Sequence, residues 1–264
     1  MGVGVHELIQ AVILGIIEGL TEFLPVSSTG HLLIAEHWLG ARSELFNVAI
    51  QAGAILAAVL IFWPRIRELA SGLGEPAQRD YLAKLLLAFF ITLIGGLAAK
   101  QLGASLPATV GPVAVALIVG GVIILLIEWL VSGRAVSTEV TWSVAFWVGS
   151  CQILAAVFPG TSRSAATIFA AMLAGLTSRA AATEFAFLVG IPTMFAATGY
   201  EFLKTRDNSS GSEDWVSFAV AFVVSGLVAF ATVKWLLRYI QTHRFTVFAW
   251  YRIAAGIALL ALAT

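Results

Sequence analysis

Long apolar runs follow one another along the chain, broken at two places by polar, proline-led turns. A helix that crosses a bilayer needs about 20 apolar residues. Runs of that kind, free or nearly free of charge, lie at Leu45–Trp63, Leu82–Ala99, Ala108–Ile127, Phe185–Tyr200, Trp215–Val233 and Phe245–Ala263. They predict six spanning helices. Two further runs behave differently. Leu8–Leu24 carries Glu18 and Glu22 and stops at Pro25, while Val140–Phe158 stops at Pro159 and leads into Gly-Thr-Ser-Arg-Ser. The apolar segments after them, His31–Leu39 and Ala165–Leu176, have 9 and 12 residues, too few to span alone. Helix, polar turn and short helix predict a re-entrant hairpin, whose irregular backbone is tolerated at membrane depth only where protein or water covers it.

The resulting order is hairpin, three spans, hairpin, three spans. Pro25 and Pro159 stand 134 positions apart, and Leu82 and Ala108 correspond at a similar offset to about Asp214 and Thr246. This is the mark of an internal repeat, with halves of about 1–134 and 135–264 in a single membrane domain, 1–264. Three spans is an odd number, so the second half enters from the opposite face. The expected fold is an all-α polytopic membrane protein, with six transmembrane helices and two re-entrant hairpins in an inverted-topology repeat. The hairpins would meet near the midplane.

Composition narrows the class. Of 264 residues, 59% are hydrophobic and 11% charged, against about a quarter charged in a soluble domain, and the mean hydropathy is +0.94. These values exclude a soluble globular enzyme and a disordered chain. Fifteen basic residues balance fifteen acidic ones, so there is no basic footprint for nucleic acid. The single cysteine, Cys151, excludes a disulfide framework and a multi-cysteine metal site. If Arg65, Arg67, Arg79 and Lys84 mark a cytoplasmic loop, alternation puts Arg134, Arg179, Lys234, Arg238 and Arg244 on the same side. Only Arg42, Lys100, Lys204 and Arg206 then fall outside. That excess follows the positive-inside rule and brings the first hairpin in from outside and the second from the cytoplasm. The Met1–Gln10 segment, with His6 and Glu7 and no basic stretch, does not read as a cleaved signal peptide. The sequon Asn208-Ser209-Ser210 is expected to mark a polar surface loop.

The few intramembrane polar residues cluster at the turns. Glu18 and Glu22 share a helix face, with Gly15 and Gly19 on the same stripe admitting a close helix or ligand. Each acidic group at the bilayer centre costs roughly 3 kcal/mol on insertion scales. The pair therefore needs protons and neighbouring hydrogen bonds, or a divalent metal, or acid/base work in a water-filled cavity. In the turn that follows, Ser27, Ser28 and Thr29 offer hydroxyls for capping or for chemistry, Gly30 lends freedom, and His31 reads as a proton carrier or serine activator, or as a buried histidine. The second turn, Gly160, Thr161, Ser162, Arg163, Ser164 and Thr167, combines a guanidinium, hydroxyls and a helix N-terminus. That set suits a phosphate, unless Arg163 only pairs with a glutamate such as Glu184. Gln51 and Gln152 suit interhelical hydrogen bonds, Glu184 and Arg252 a structural pair or an outer support, Glu128 a snorkelling position, and the eight tryptophans interfacial belts.

The stretch from Glu18 to His31, EGLTEFLPVSSTGH, resembles the signature of the undecaprenyl-diphosphate phosphatase family, often called the bacitracin-resistance family. Pro159–Ser164 with Thr167 resembles its second signature, and Glu184–Leu188 with Pro192 fits the segment after it. The resemblance covers essentially the whole chain. It implies a bacterial inner-membrane enzyme that hydrolyses a C55 polyprenyl diphosphate to the monophosphate and recycles the lipid carrier for peptidoglycan, with its site toward the outer side. It also implies a divalent metal, Mg²⁺ or Ca²⁺, on Glu18 and Glu22, and catalytic roles for Glu18, Glu22, Ser28, His31 and Arg163. Ser27, Thr29, Gly30, Gly160, Thr161, Ser162, Ser164 and Thr167 would contact the diphosphate. The implied partners are the polyprenyl diphosphate, membrane lipids, bacitracin as a competitor for the substrate, and a second copy in a homodimer. Inverted repeats with broken helices are also a transporter architecture, so a flippase for the carrier lipid is the alternative, and a passive lipid-binding protein a third.

Overall fold

A computed structural model describes residues 4–104, 108–205 and 215–263. The described residues form ten α-helices and no strand: α1 (Val5–Thr21), α2 (Ser28–Leu39), α3 (Glu44–Ser71), α4 (Pro76–Gln101), α5 (Val110–Val131), α6 (Trp142–Val157), α7 (Arg163–Leu173), α8 (Arg179–Thr205), α9 (Trp215–Tyr239) and α10 (Thr246–Ala263). Arg206, the sequon at 208–210 and Asp214 lie outside the described residues.

Five helices, α3, α4, α5, α8 and α9, are long and apolar enough to cross a membrane. The chain is therefore a multi-pass helical membrane protein. The sixth expected span forms as α10, but with 18 residues it is about 27 Å long, and it carries the fully buried Arg252 in its middle. The two hairpin segments fold as helix, turn and short helix, α1–α2 and α6–α7. Helices also outrun the apolar runs. The expected linker at Pro64–Asp80 is largely helical, because α3 continues through Pro64 to Ser71 and α4 restarts at Pro76. Arg65 holds that junction, bonding Glu68 at 2.8 Å and Glu184 at 3.3 Å and lying 4.7 Å over the Tyr81 ring.

Apolar side chains fill the interior, as in a soluble protein, and also cover much of the exterior. Large apolar side chains such as Leu60, Ile94, Leu126 and Leu227 face outward, and all eight tryptophans are exposed. Small residues make the closest contacts between helices, as expected where lipid removes any hydrophobic drive for helices to associate. Helix α9 lies against both α1 and α3. A Cβ at Gly15 or Gly19 would stand 2.8 or 2.6 Å from the carbonyl oxygens of Ala221 and Ser225, and one at Gly53 would stand 2.3 Å from that of Phe222. The expected close approach on the Gly15–Gly19 stripe is thus made by α9. The same relation recurs in the second half, where α6 packs on α4 with Gly149 against the Ala88 backbone. Helix α3 meets α8, and α5 meets α10.

Two polar positions depart from expectation. Glu128 does not snorkel. It is 1% exposed, binds Arg179 through both oxygens at 2.9 and 2.5 Å, and accepts the Phe245 backbone N–H at 2.9 Å. Burial of three helix ends around one carboxylate leaves it no route to water. Arg252 does not pair with Glu184, whose ion-pair partner is Arg65.

Candidate active site

Both hairpin turns end in the same local structure. Ser27 caps α2 at φ 73°, ψ 99° and accepts the Gly30 N–H at 3.4 Å. Ser162 caps α7 at φ 68°, ψ 113° and accepts the Ala165 N–H at 3.3 Å. They are the only non-glycine residues with positive φ among those described. Such a conformation costs of order 1–3 kcal/mol, and each is held because the serine hydroxyl satisfies an otherwise orphan amide of its helix. Gly160, at φ 91°, precedes the second cap, where a Cβ would stand 2.9 Å from the Val113 carbonyl oxygen; only glycine fits.

One side chain ties the turns together. The Arg252 guanidinium, 0% exposed, donates to the carbonyls of Pro25 and Thr161 at 3.1 Å each and of Gly160 at 3.1 Å. It also donates to Ala116 at 3.0 Å and Leu117 at 3.4 Å on α5. A Cβ at Gly120 would stand 2.1 Å from its Nη2, so that glycine makes the room. A second tie runs from the Ser164 hydroxyl to the Leu24 carbonyl at 2.9 Å.

The joined turns wall a cavity of about 310 Å³ that brings together Glu22, Ser27, Ser28, Thr29, Gly160, Ser162 and Arg163. At its centre Glu22 stands between two donors. The Ser28 hydroxyl donates to its Oε2 at 2.5 Å, and the Arg163 guanidinium donates to its Oε1. The Glu22 side chain is 5% exposed and that of Arg163 26%, so one face of the cation remains open to the cavity. Breaking a buried pair by removing one partner costs about 3–5 kcal/mol. Arg163 also opens α7, where unpaired amides and the helix dipole add positive potential.

The remaining expected site residues lie around this centre rather than in the cavity wall. Glu18 is fully buried one turn below Glu22, and neither of its carboxylate oxygens has a hydrogen-bond partner. A buried carboxylate without a partner calls for a proton or a cation. No group of three or more His, Cys, Asp or Glu side chains suited to a metal occurs among the described residues. Two carboxylates completed by phosphate oxygens are nevertheless a usual donor set for a hard divalent ion. Glu18 and Glu22 fit that role by chemistry and burial.

His31 is not among the residues that line the cavity. Its Nδ1 bonds the Ser27 carbonyl at 2.7 Å, its Nε2 meets the Tyr251 hydroxyl at 2.5 Å, and the two rings stack at 5.6 Å. Bonding to a carbonyl makes Nδ1 the protonated nitrogen and leaves Nε2 to accept from Tyr251. Here the histidine braces the cap residue. Gly30 packs beside Val113, the Thr161 carbonyl faces Arg252, and the Ser164 hydroxyl faces Leu24. The Thr167 hydroxyl is spent on its own helix, at 2.8 Å from the Arg163 carbonyl.

Sequence reasoning missed part of the wall. Thr92 of α4, Gln152 of α6 and Thr193 and Thr198 of α8 line the cavity together with Gln51. The Gln152 amide donates to the Thr92 hydroxyl at 2.9 Å. The two glutamines offered a signal, as amide side chains within apolar runs, and the threonines offered none. Only Gln51 and Gln152 stood out, and then for helix packing.

Residues 11–258 match the family model described as bacitracin resistance protein BacA. The chain is 60% identical over 259 residues to an undecaprenyl-diphosphatase of Rhizobium etli (strain CIAT 652), covering 98% of each protein. It is 59% identical over 255 residues to one of Stenotrophomonas maltophilia (strain K279a), covering 96% of this chain and 97% of the relative. Against one of Xanthomonas euvesicatoria pv. vesicatoria (strain 85-10) it is 56% identical, covering 96% of each. With its two capped turns, its buried glutamates and a match that runs nearly end to end, this chain belongs to the bacitracin resistance protein BacA family.

Proposed function

We propose that the protein is a membrane phosphatase that hydrolyses undecaprenyl diphosphate to the monophosphate and inorganic phosphate. This activity recycles a carrier lipid for cell-wall synthesis, and bacitracin competes for the same lipid. The observation that carries the reading is the Ser28–Glu22–Arg163 arrangement inside a cavity at the junction of the turns. The relatives named undecaprenyl-diphosphatase supply the substrate and favour hydrolysis over passage of the lipid between leaflets.

The terminal phosphate sits against Arg163 and the α7 N-terminus, where fixed positive charge stabilises the charge that develops on its oxygens. The Ser28 oxygen attacks phosphorus, and Glu22 Oε2 accepts its proton along the existing hydrogen bond. The bond from phosphorus to the bridging oxygen breaks, and the polyprenyl monophosphate leaves. Water then hydrolyses the phosphoserine and frees inorganic phosphate. Glu18 and Glu22 would hold a Mg²⁺ or Ca²⁺ ion, which supplies charge neutralisation on the phosphate oxygens. His31 and Tyr251 keep the Ser27 carbonyl, and with it the turn, in place.

The proposed topology is six spans with two re-entrant hairpins in an inverted repeat. Its support is the matched capping of Ser27 and Ser162 and the reciprocal packing of α1 on α9 and α6 on α4. The proposed setting is the bacterial inner membrane, with the cavity toward the outer face. The cavity's α4 and α8 residues lie in the helix halves that end near Lys100 and Glu201, the side poorer in basic residues. The test is phosphate release from undecaprenyl diphosphate by purified protein in detergent, beside Glu22→Gln. Release by the parent and its loss in the variant are expected. Absence of release by an intact parent protein overturns the reading.

A further inference from the structure

A second cavity, about 350 Å³, lies between α4 and α8. It adjoins the polar one, and Thr92, Ala156, Thr193 and Ala197 line both. At this threshold the polar groups are already committed. Thr92 donates to the Ala88 or Gly149 carbonyl, Gln152 donates to Thr92, and Thr193 donates to the Gly190 carbonyl at 2.9 Å. Beyond it the wall is Phe89, Leu93, Gly96 and Ala196, which offer carbon and no side-chain hydrogen bonds. The far end carries Lys100, bonded to Glu201 at 2.6 Å and 4.1 Å over the Tyr200 ring. A polar pocket that adjoins an apolar one suits a ligand with a charged head and a hydrocarbon tail.

We propose that the α4–α8 groove binds the isoprene units next to the diphosphate, and that Gly96 sets its width and so the enzyme's discrimination by tail. The proposal rests on the phosphatase reading for its substrate. The groove is at the small end of ligand pockets, so it takes only the first units of the chain and the rest lies in lipid. Gly96 is the residue that leaves the space. A Cβ there meets nothing within 4 Å, whereas one at the neighbouring Gly95 would stand 2.2 Å from Ile153. A larger side chain at 96 therefore enters the groove without disturbing the α4–α6 contact, and it improves helix propensity.

The experiment compares the parent with Gly96→Phe and with Leu227→Phe, the latter an outward-facing site on α9, 68% exposed. Each is assayed for phosphate release from farnesyl and from isopentenyl diphosphate, and for binding of radiolabelled farnesyl diphosphate. The ratio of kcat/KM for farnesyl over isopentenyl diphosphate is expected to fall by about tenfold or more in Gly96→Phe, the scale of a lost apolar contact in a specificity pocket. Leu227→Phe is expected to keep the parent ratio. An unchanged ratio in Gly96→Phe, or an equal fall in Leu227→Phe, overturns the groove assignment and leaves the phosphatase reading standing. A parent that releases no phosphate overturns the phosphatase reading instead. The groove assignment is then decided by binding: weaker farnesyl diphosphate binding in Gly96→Phe supports it, and unchanged binding overturns it.

Discussion

Arg252 offers the sharpest test of how the site is held, because it shapes the turns without lining the cavity. Three of its five hydrogen bonds run to the Pro25, Gly160 and Thr161 carbonyls. A hydrogen bond to a charged group contributes about 1.5–3 kcal/mol, so the three together contribute about 4.5–9 kcal/mol if additive. Bonds to one side chain couple, which favours the lower half of that range. A folded protein holds only about 5–15 kcal/mol in total, so Arg252→Met is expected to fold poorly. Arg252→Lys is the informative variant. It keeps the charge but loses the planar fork that reaches several carbonyls at once. The turns would then shift by a fraction of an ångström to an ångström, and misplacement of that size costs about 10²-fold in rate. The expected result is a kcat lowered about 10²-fold, a KM changed little, and a lower apparent Tm in detergent. Steady-state phosphate release and a thermal melt on the same preparation measure all three. A lysine variant with parental kcat and Tm would refute the idea that this guanidinium sets the geometry of the site.

Ser28→Ala removes the proposed nucleophile and should lower phosphate release by at least about 10³-fold, the scale seen when a unit of catalytic groups loses its nucleophile; near-full turnover would rule out attack by Ser28. Removing divalent metal with EDTA should abolish release, and Mg²⁺ or Ca²⁺ should restore it; activity that persists under tight chelation argues that Glu18 carries a proton instead. Ser27→Gly relieves the positive φ while losing the cap and should change stability by only a few tenths of a kcal/mol. Ser27→Val meets both penalties and should cost about 2 kcal/mol or more, read as a lower apparent Tm; equal behaviour of the two variants would contradict the strain argument.

The features legible in the sequence are those carried by contiguous residues. The apolar runs located the helices, and the proline-led turns located the hairpins, because span length and helix breaking are local matters. Glu22, Ser28 and Arg163 were legible as candidates because each sits in a dense polar motif. The inverted repeat made the meeting of their two turns legible, but not the pairing of Glu22 with Arg163, which joins residues 141 positions apart. Arg252 was opaque for the same reason: its Pro25 contact spans 227 positions, and an isolated arginine in an apolar helix does not announce that its partners are backbone carbonyls. The partners of His31 were not legible either. It directly follows the hydroxyl motif, but helix geometry aims it back at the Ser27 carbonyl four residues earlier. Thr92 and Thr193 carried no signal, because a lone threonine in a span commonly bonds its own helix, as both of these do.

The glycine seam that seats α9 against α1 and α3 has a consequence for life in a bilayer of varying thickness. A helix sliding along its neighbour by one residue moves 1.5 Å and turns its contact face by about 100°. At Gly15, Gly19 and Gly53 that step would press a side chain into backbone already closer than van der Waals contact allows for a Cβ. These three helices therefore cannot adjust to a thinner or thicker membrane by shearing past one another. They must tilt as a block, or the lipid must deform around them. The depth of Glu18 and Glu22 relative to α9 is thereby fixed, and mismatch is absorbed at the lipid-facing perimeter, away from the site.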